Sequence, residues 1–247
     1  MQGKSVILSG GSGGLGSAVA ELVAARGGVP VIGCYRNPDR ARTLAADLER
    51  KYGVSVTVVV GDVLEEKTRN ELIETARGVG KLYGLVPLVG EPARVPIEVA
   101  TVDDLLASTR INFVGPVLLA RDFAAAVKGN DASIVFVSTM QAVAVFAGST
   151  AYAAPKAALV HTARILAKQW GGADRVRVNV VAPGVTTSGM AEKSVGIGKY
   201  DPYIEKDVIT RFGRAHDVAR AIGLFLEPDN YTTGQLLTVD GGLTVRM

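Results

Sequence analysis

Tyr152 and Lys156 stand four residues apart in Tyr-Ala-Ala-Pro-Lys, a spacing that puts both side chains on one face of a helix. A lysine ammonium close to a phenol stabilises the phenolate and draws its pKa from about 10 toward neutrality. Such a tyrosine could hand a proton to a carbonyl oxygen as hydride reaches the carbon, or take one from an alcohol in reverse. By itself the spacing is common on structural helices, so the chemistry depends on what the rest of the chain brings to it. Pro155 is out of place in a helix interior. It predicts a helix capped by Ser149 or Thr150, with the proline in or close to the first turn.

A second cluster is suited to an anion. Ser9-Gly10-Gly11-Ser12-Gly13-Gly14-Leu15-Gly16 follows a short apolar run and opens a helical pattern. Glycines there permit a tight turn and close backbone approach, and the N–H groups of the helix start favour a pyrophosphate. Gly10, Ser12, Gly13, Gly14, Leu15 and Gly16 are therefore the candidate cradle of a dinucleotide; a purely structural turn is the competing use. The second strand-like run ends Cys34-Tyr35-Arg36-Asn37. A carboxylate at that point would bind an adenosine 2′-OH and repel a 2′-phosphate. Here the guanidinium of Arg36 suits a phosphate instead, which favours NADP(H) over NAD. Asp62, with Val63 beside it, follows the third strand and could orient adenine, cap the next helix, or do both.

Other chemistries find little support. The 247 residues are 48% hydrophobic with a net charge of +3, and Lys and Arg are dispersed, as on a solvated face rather than a nucleic-acid footprint. Cys34 is the lone cysteine, which excludes an intrachain disulfide and reads as a buried structural thiol. Two histidines, His161 and His216, leave little for a Ser-His-Asp triad, and no cluster has metal-ligand spacing. No apolar stretch nears the roughly 20 residues of a membrane span. The N-terminus does not resemble a signal peptide, and the expected location is cytoplasmic.

The elements that must position these residues alternate. Ser5–Ser9, Val31–Tyr35, Val54–Val60, Leu82–Val89, Ser133–Val137, Arg177–Val181 and Leu236–Val239 read as strands. Helical patterns lie between them at Leu15–Ala25, Asp39–Lys51, Glu65–Arg77, Val102–Val127, Ser149–Trp170 and Val218–Leu226. The β-branched run Val54–Val60 is too continuous for a surface strand and is expected to be covered on both faces. Gly115-Pro116 should bend or open the long central helix. The pattern predicts a single α/β domain over residues 1–247, built on a seven-stranded, mostly parallel, doubly wound sheet. On such a sheet ligands bind beyond the carboxyl ends of the strands, which gathers all the candidate residues on one rim.

With these residues in place, the chain resembles the short-chain dehydrogenase/reductase family over essentially its whole length, from the glycine-rich turn to Asp240-Gly241-Gly242. It is most similar in type to 3-oxoacyl-[acyl-carrier-protein] reductases. The resemblance implies a three-layer Rossmann fold and an NADP-dependent oxidoreductase acting on a carbonyl/secondary-alcohol pair, with a 3-oxoacyl thioester, free or carrier-bound, among the candidate substrates. Gly10, Gly14 and Gly16 match the family's spaced glycines, and Tyr152 and Lys156 its catalytic pair. The family hydroxyl falls on Thr139 by spacing, with Ser138 beside it. Asn112 matches the family asparagine that holds a proton path to the lysine through its backbone carbonyl and a water. Pro183 and Gly184 match the turn by the nicotinamide, whose carboxamide would meet the backbone near Val185; Ser188 replaces the threonine that follows. The family also implies a homotetramer.

One departure stands out. Where the family carries Asn-Asn-Ala-Gly, this chain has Pro87-Leu88-Val89-Gly90; Gly90 keeps the close approach to the cofactor, but both asparagines are gone. Residues 187–207 resemble the mobile substrate loop, and Met190, Val195, Ile197, Tyr200 and Tyr203 suggest a fairly apolar or mixed substrate. Ile97, Val143 and Phe146 are further candidate lining residues, with core packing as their other use. Two rival functions are kept: an NAD-dependent alcohol, sugar or steroid dehydrogenase, and a non-catalytic dinucleotide-binding protein.

Overall fold

The computed structural model describes residues 1–247. Short apolar runs such as Val6-Ile7-Leu8 and Ile134-Val135-Phe136 are wholly buried, as the centre of a sheet covered on both faces requires. Seven strands form that sheet: β1 (Lys4–Ser9), β2 (Val29–Cys34), β3 (Thr57–Val60), β4 (Lys81–Pro87), β5 (Ala132–Val137), β6 (Val176–Pro183) and β7 (Leu236–Val239). Their order is β3-β2-β1-β4-β5-β6-β7, and every pairing is parallel. The order reverses between β1 and β4, so the crevice expected of a doubly wound sheet opens there.

Helices cover both faces. On one side α3 (Glu66–Val79), α5 (Gly115–Val127) and α6 (Thr150–Trp170) pack Leu72, Phe123 and Leu159 onto the sheet; Trp170 is packed against this layer. On the other, α1 (Gly14–Ala25), α2 (Pro38–Tyr52) and α9 (Ala215–Leu226) contribute Val19, Leu48 and Ile222. Between β4 and α5 lies α4 (Val102–Thr109). Residues 184–206, of uncertain local structure in the sequence, form a 3₁₀ turn at Gly189–Ala191 and the short helices α7 (Glu192–Gly196) and α8 (Pro202–Glu205); α10 (Leu243–Arg246) ends the chain. No helix is long and apolar enough to cross a membrane.

Three local outcomes differ from expectation or sharpen it. Val54–Val60 is not a doubly covered strand: pairing starts at Thr57, β3 is the sheet edge, and Val60 is 46% exposed. Its β-branched residues reflect strand preference rather than burial. The central helix opens as a π-turn over Arg110–Val114, with the Gly115 N–H reaching the Arg110 carbonyl. Ser149 is the N-cap of α6, one of the two positions expected, and with the helix already begun at Thr150 Pro155 falls in the second turn, just beyond the first-turn positions that tolerate it.

Candidate active site

The carboxyl-end rim holds two adjoining cavities. One, of 750 Å³, is lined by Gly10, Ser12, Gly13, Gly14, Leu15, Gly16, Tyr35, Arg36, Asn37, Asp62, Val63 and Gly90. The other, of 430 Å³, is lined by Ser138, Thr139, Tyr152, Lys156, Pro183, Gly184, Val185 and Ser188. Leu15, Leu88 and Met190 border both, so the two make one continuous trough. Asn112 lines neither; it lies fully buried behind Gly90, on which a Cβ would come within 3.2 Å of its Oδ1.

The larger cavity fits a dinucleotide. A Cβ on Gly16 would sit 2.5 Å from the Gly10 carbonyl oxygen, and one on Gly14 would sit 2.5 Å from the Gly189 nitrogen. The turn is therefore as tight as a chain with side chains could not make it. Helix α1 begins with no side-chain cap and no acidic residue in its first turn, which leaves its N–H groups to an anion. Beside Gly14 lies Ser188, whose buried Oγ has no hydrogen-bond partner in the chain. Asp62 lines the cavity and accepts the Leu64 N–H at 2.9 Å through one carboxylate oxygen; Leu64 precedes α3, whose N-cap position Glu65 has no side-chain cap, so Asp62 closes the turn after β3 and does not cap the helix.

In the smaller cavity the two hydroxyls at the end of β5 part company. Ser138 Oγ donates to the Lys156 carbonyl at 2.9 Å, deep in the protein, whereas Thr139 lines the cavity with Tyr152 and its hydroxyl accepts the Gln141 N–H at 3.3 Å. The lysine does not do what spacing alone suggests: its Nζ donates to the Val137 carbonyl at 3.0 Å. Burial pushes the phenol up to about 12, against the opposing pull of Thr139, and pushes Lys156 down to about 8. The expected fall of the tyrosine toward neutrality is absent from this geometry, because desolvation outweighs the pull of Thr139.

Burying Lys156 has a cost in stability whose pH dependence is defined. At neutral pH folded and unfolded chains both carry the proton, and the folded chain bears the cost of the buried charge. From about 8 up to the ordinary lysine value of 10.5 the unfolded chain holds a proton that the folded one lacks, so stability rises with pH. Lys156→Met is thus expected to unfold at higher urea concentration than the parent at neutral pH, by about 1–3 kcal/mol. The difference shrinks as pH rises through this window.

Asn112 sits in the π-turn. Its Oδ1 accepts the Glu91 N–H at 3.1 Å, and its Nδ2 donates to the Glu91 carbonyl at 3.0 Å and to Ser108 Oγ at 3.1 Å. Pro116, four residues on, has no N–H to offer the Asn112 carbonyl, so the ordinary α-helical bond cannot form at that carbonyl.

A family model described as enoyl-(acyl carrier protein) reductase matches residues 10–244. A bovine (Bos taurus) 3-oxoacyl-[acyl-carrier-protein] reductase is 33% identical over 96% of this chain and 97% of its own length. The solved structure of a short chain dehydrogenase from Burkholderia cenocepacia J2315 in complex with NADP superposes with a TM-score of 0.86 at 28% identity, covering 98% of each chain. An NADPH-dependent 3-quinuclidinone reductase from Rhodotorula rubra gives 0.86 at 27%, over 99% of this chain and 92% of that one. The chain belongs to the short-chain dehydrogenase/reductase family.

Within that family the Pro87-Leu88-Val89 segment is accommodated by backbone. The Leu88 N–H still bonds the Ser9 carbonyl at 2.8 Å, continuing β4 along β1. On the other side, β4 and β5 pair only at Gly84↔Ser133 and Leu85↔Ile134, whereas β5 and β6 pair through Val137↔Val181. Pro87, lacking an N–H, ends the first ladder early.

The expected short-chain dehydrogenase/reductase substrate loop divides. Met190 and Tyr200 face the smaller cavity; Val195, Tyr203 and Phe146 pack in a small apolar cluster beneath, and Ile197 is exposed. Ile97 and Val143 do not line the cavity, being exposed instead. Two arginines that escape notice in the sequence help to build the site. Arg94 lines the cavity and donates to the Met190 carbonyl at 2.9 Å and Ser194 Oγ at 3.2 Å, tying the segment after β4 to the loop. Arg69, buried in α3, donates to the Val63 and Leu64 carbonyls and pairs with Asp122 at 2.6 Å, bracing the wall that carries Asp62. No local pattern distinguishes either arginine from a surface residue.

Proposed function

We propose that this short-chain dehydrogenase/reductase uses NADP(H) to interconvert a ketone or aldehyde and its alcohol, with Tyr152 as the proton donor and acceptor. The observation that carries this reading is that Tyr152 and Thr139 line one cavity that opens directly onto the glycine cradle. When bound, the nicotinamide supplies or accepts the hydride. Thr139 and Tyr152 would hold the substrate oxygen between two hydroxyls. The phenol, protonated across the neutral range, is set to act as an acid in the reductive direction. Lys156, through the Val137 carbonyl and its own burial, fixes the wall behind the tyrosine. Ser138 is tied to the backbone of Lys156 and serves to hold that residue in place.

For the cofactor, Arg36 lines the adenosine end of the trough, and no carboxylate follows β2 to repel a 2′-phosphate. The two solved relatives named with NADP or NADPH are consistent with the same choice. Glu91 approaches Arg36 to 3.5 Å, but both side chains are substantially exposed, and such a pair is readily exchanged for a phosphate. Arg36→Ala is expected to weaken NADPH binding roughly 10- to 100-fold, the equivalent of one charge-assisted contact, and to change NADH binding much less. Fluorescence titration of both nucleotides checks this. A protein that binds NADH more tightly, and is unmoved by the substitution, would be the NAD-dependent alternative.

For the substrate, the 3-oxoacyl reductase relative makes a 3-oxoacyl thioester the first candidate. Oxidation of NADPH with 3-oxoacyl thioesters, ketosteroids, sugars, diketones and quinones tests the reaction class. Binding of NADPH with silence across the panel would favour a non-catalytic nucleotide-binding protein.

A further inference from the structure

We propose that Ser108 is a positioning residue of this site: its hydroxyl replaces the backbone N–H that Pro155 lacks, and so joins the turn bearing Tyr152 and Lys156 to Asn112. In an α-helix the carbonyl of Ala151 would receive the N–H of residue 155, four residues on. Pro155 has none. Ser108, from α4, donates its Oγ–H to that carbonyl at 2.6 Å. The same oxygen accepts the Asn112 Nδ2 at 3.1 Å, and Asn112 clasps the backbone of Glu91, next to Gly90, through both its amide atoms. The three linked residues Ser108, Asn112 and Ala151 are 3%, 0% and 4% exposed, so no bulk water competes for these bonds.

The arrangement has a direct consequence for the reaction, one that rests on the reading of Tyr152 as catalytic. Ala151 immediately precedes Tyr152, and the proline immediately precedes Lys156. An unheld turn at this place can tilt, carrying the phenol away from Thr139. A displacement of about 1 Å at reacting groups costs on the order of 10²-fold in rate. Ser108 thereby restores rigidity to a helix that its own sequence weakens at the working position. It touches neither cavity and takes no part in proton transfer.

The test is a double-mutant cycle between Ser108→Ala and Pro155→Ala, because alanine at 155 returns the N–H to the helix. Each protein is assayed with NADPH and the fastest substrate of the carbonyl panel, and amide hydrogen exchange is followed over residues 150–157. Ser108→Ala alone should lower kcat roughly 10- to 100-fold, leave the KM for NADPH within about twofold, and speed exchange in this segment. In the Pro155→Ala background the same change should cost less than about threefold, with exchange slowed again. Equal losses in both backgrounds, or Ser108→Ala indistinguishable from the parent in both readouts, overturn the proposal. If Tyr152→Phe retains full activity, the catalytic reading fails and the effect on rate falls with it. The exchange measurements still decide separately whether Ser108 holds the turn.

Discussion

Tyr152→Phe should lower kcat by about three orders of magnitude while the protein keeps its fold and its affinity for NADPH, within the range that general acid–base groups supply. The substitution retains the ring and removes one oxygen, in a cavity that Thr139 also lines. Because burial holds the phenol near 12, the wild-type group carries its proton throughout the neutral range. Loss of that proton donor cannot be made good by a neighbour. Lys156 points to the Val137 carbonyl, and Ser138 to the Lys156 carbonyl. Thr139 remains to bind the substrate oxygen, but an aliphatic hydroxyl is too weak an acid to replace the phenol. Single-turnover kinetics with pre-bound NADPH isolates the chemical step. A loss confined to KM, with kcat unchanged, would mean that Tyr152 only binds.

The glycine cradle was legible in the sequence because its whole logic lies within one strand, turn and helix. Gly10, Gly14 and Gly16 are spaced for a tight turn wherever they occur in such a unit, and the structure closes that turn on itself. The Tyr152–Lys156 pair was legible only as a shared helix face. Spacing brings two side chains to one side, yet the direction of the lysine depends on a carbonyl of β5, 19 residues earlier in the chain. For the same reason the pKa of the phenol is not legible in the sequence: the effect of burial is a property of the folded cavity. Pro155 reads from sequence as a residue in or close to the first turn, because the partner that relieves it, Ser108, is 43 residues from Ala151 and carries no mark of that use. The edge position of β3 was illegible too, since a β-branched run reads alike whether covered or bare. Local geometry can be read from neighbours in sequence, whereas compensations between elements need the fold.

Gly16→Ala is expected to weaken NADPH binding roughly 10- to 100-fold, corresponding to an overpacking cost of about 1–3 kcal/mol at a rigid site. The argument is steric. The added Cβ would meet the Gly10 oxygen at 2.5 Å and the Gly11 Cα at 2.6 Å, all backbone, with no flexible side chain to give way. Gly10 cannot retreat: its φ of +77° suits glycine, and a Cβ built on it already lies 3.0 Å from the Val89 nitrogen, so the turn is pressed against the segment after β4. Helix α1 must therefore move away from the turn, taking with it the N–H groups offered to the pyrophosphate. Gly13→Ala supplies the contrast within the same cradle. Gly13 has φ −71° and ψ 175°, accessible to any residue, and its Cβ would meet only the Gly10 oxygen at 3.3 Å. It should weaken binding by less than about threefold. Gly14→Ala differs again, since its Cβ would strike the Gly189 nitrogen and shift the loop rather than the cradle. Titrating NADPH against the three proteins separates these cases: equal losses at positions 13 and 16 would mean that backbone entropy, not the closed turn, accounts for these glycines.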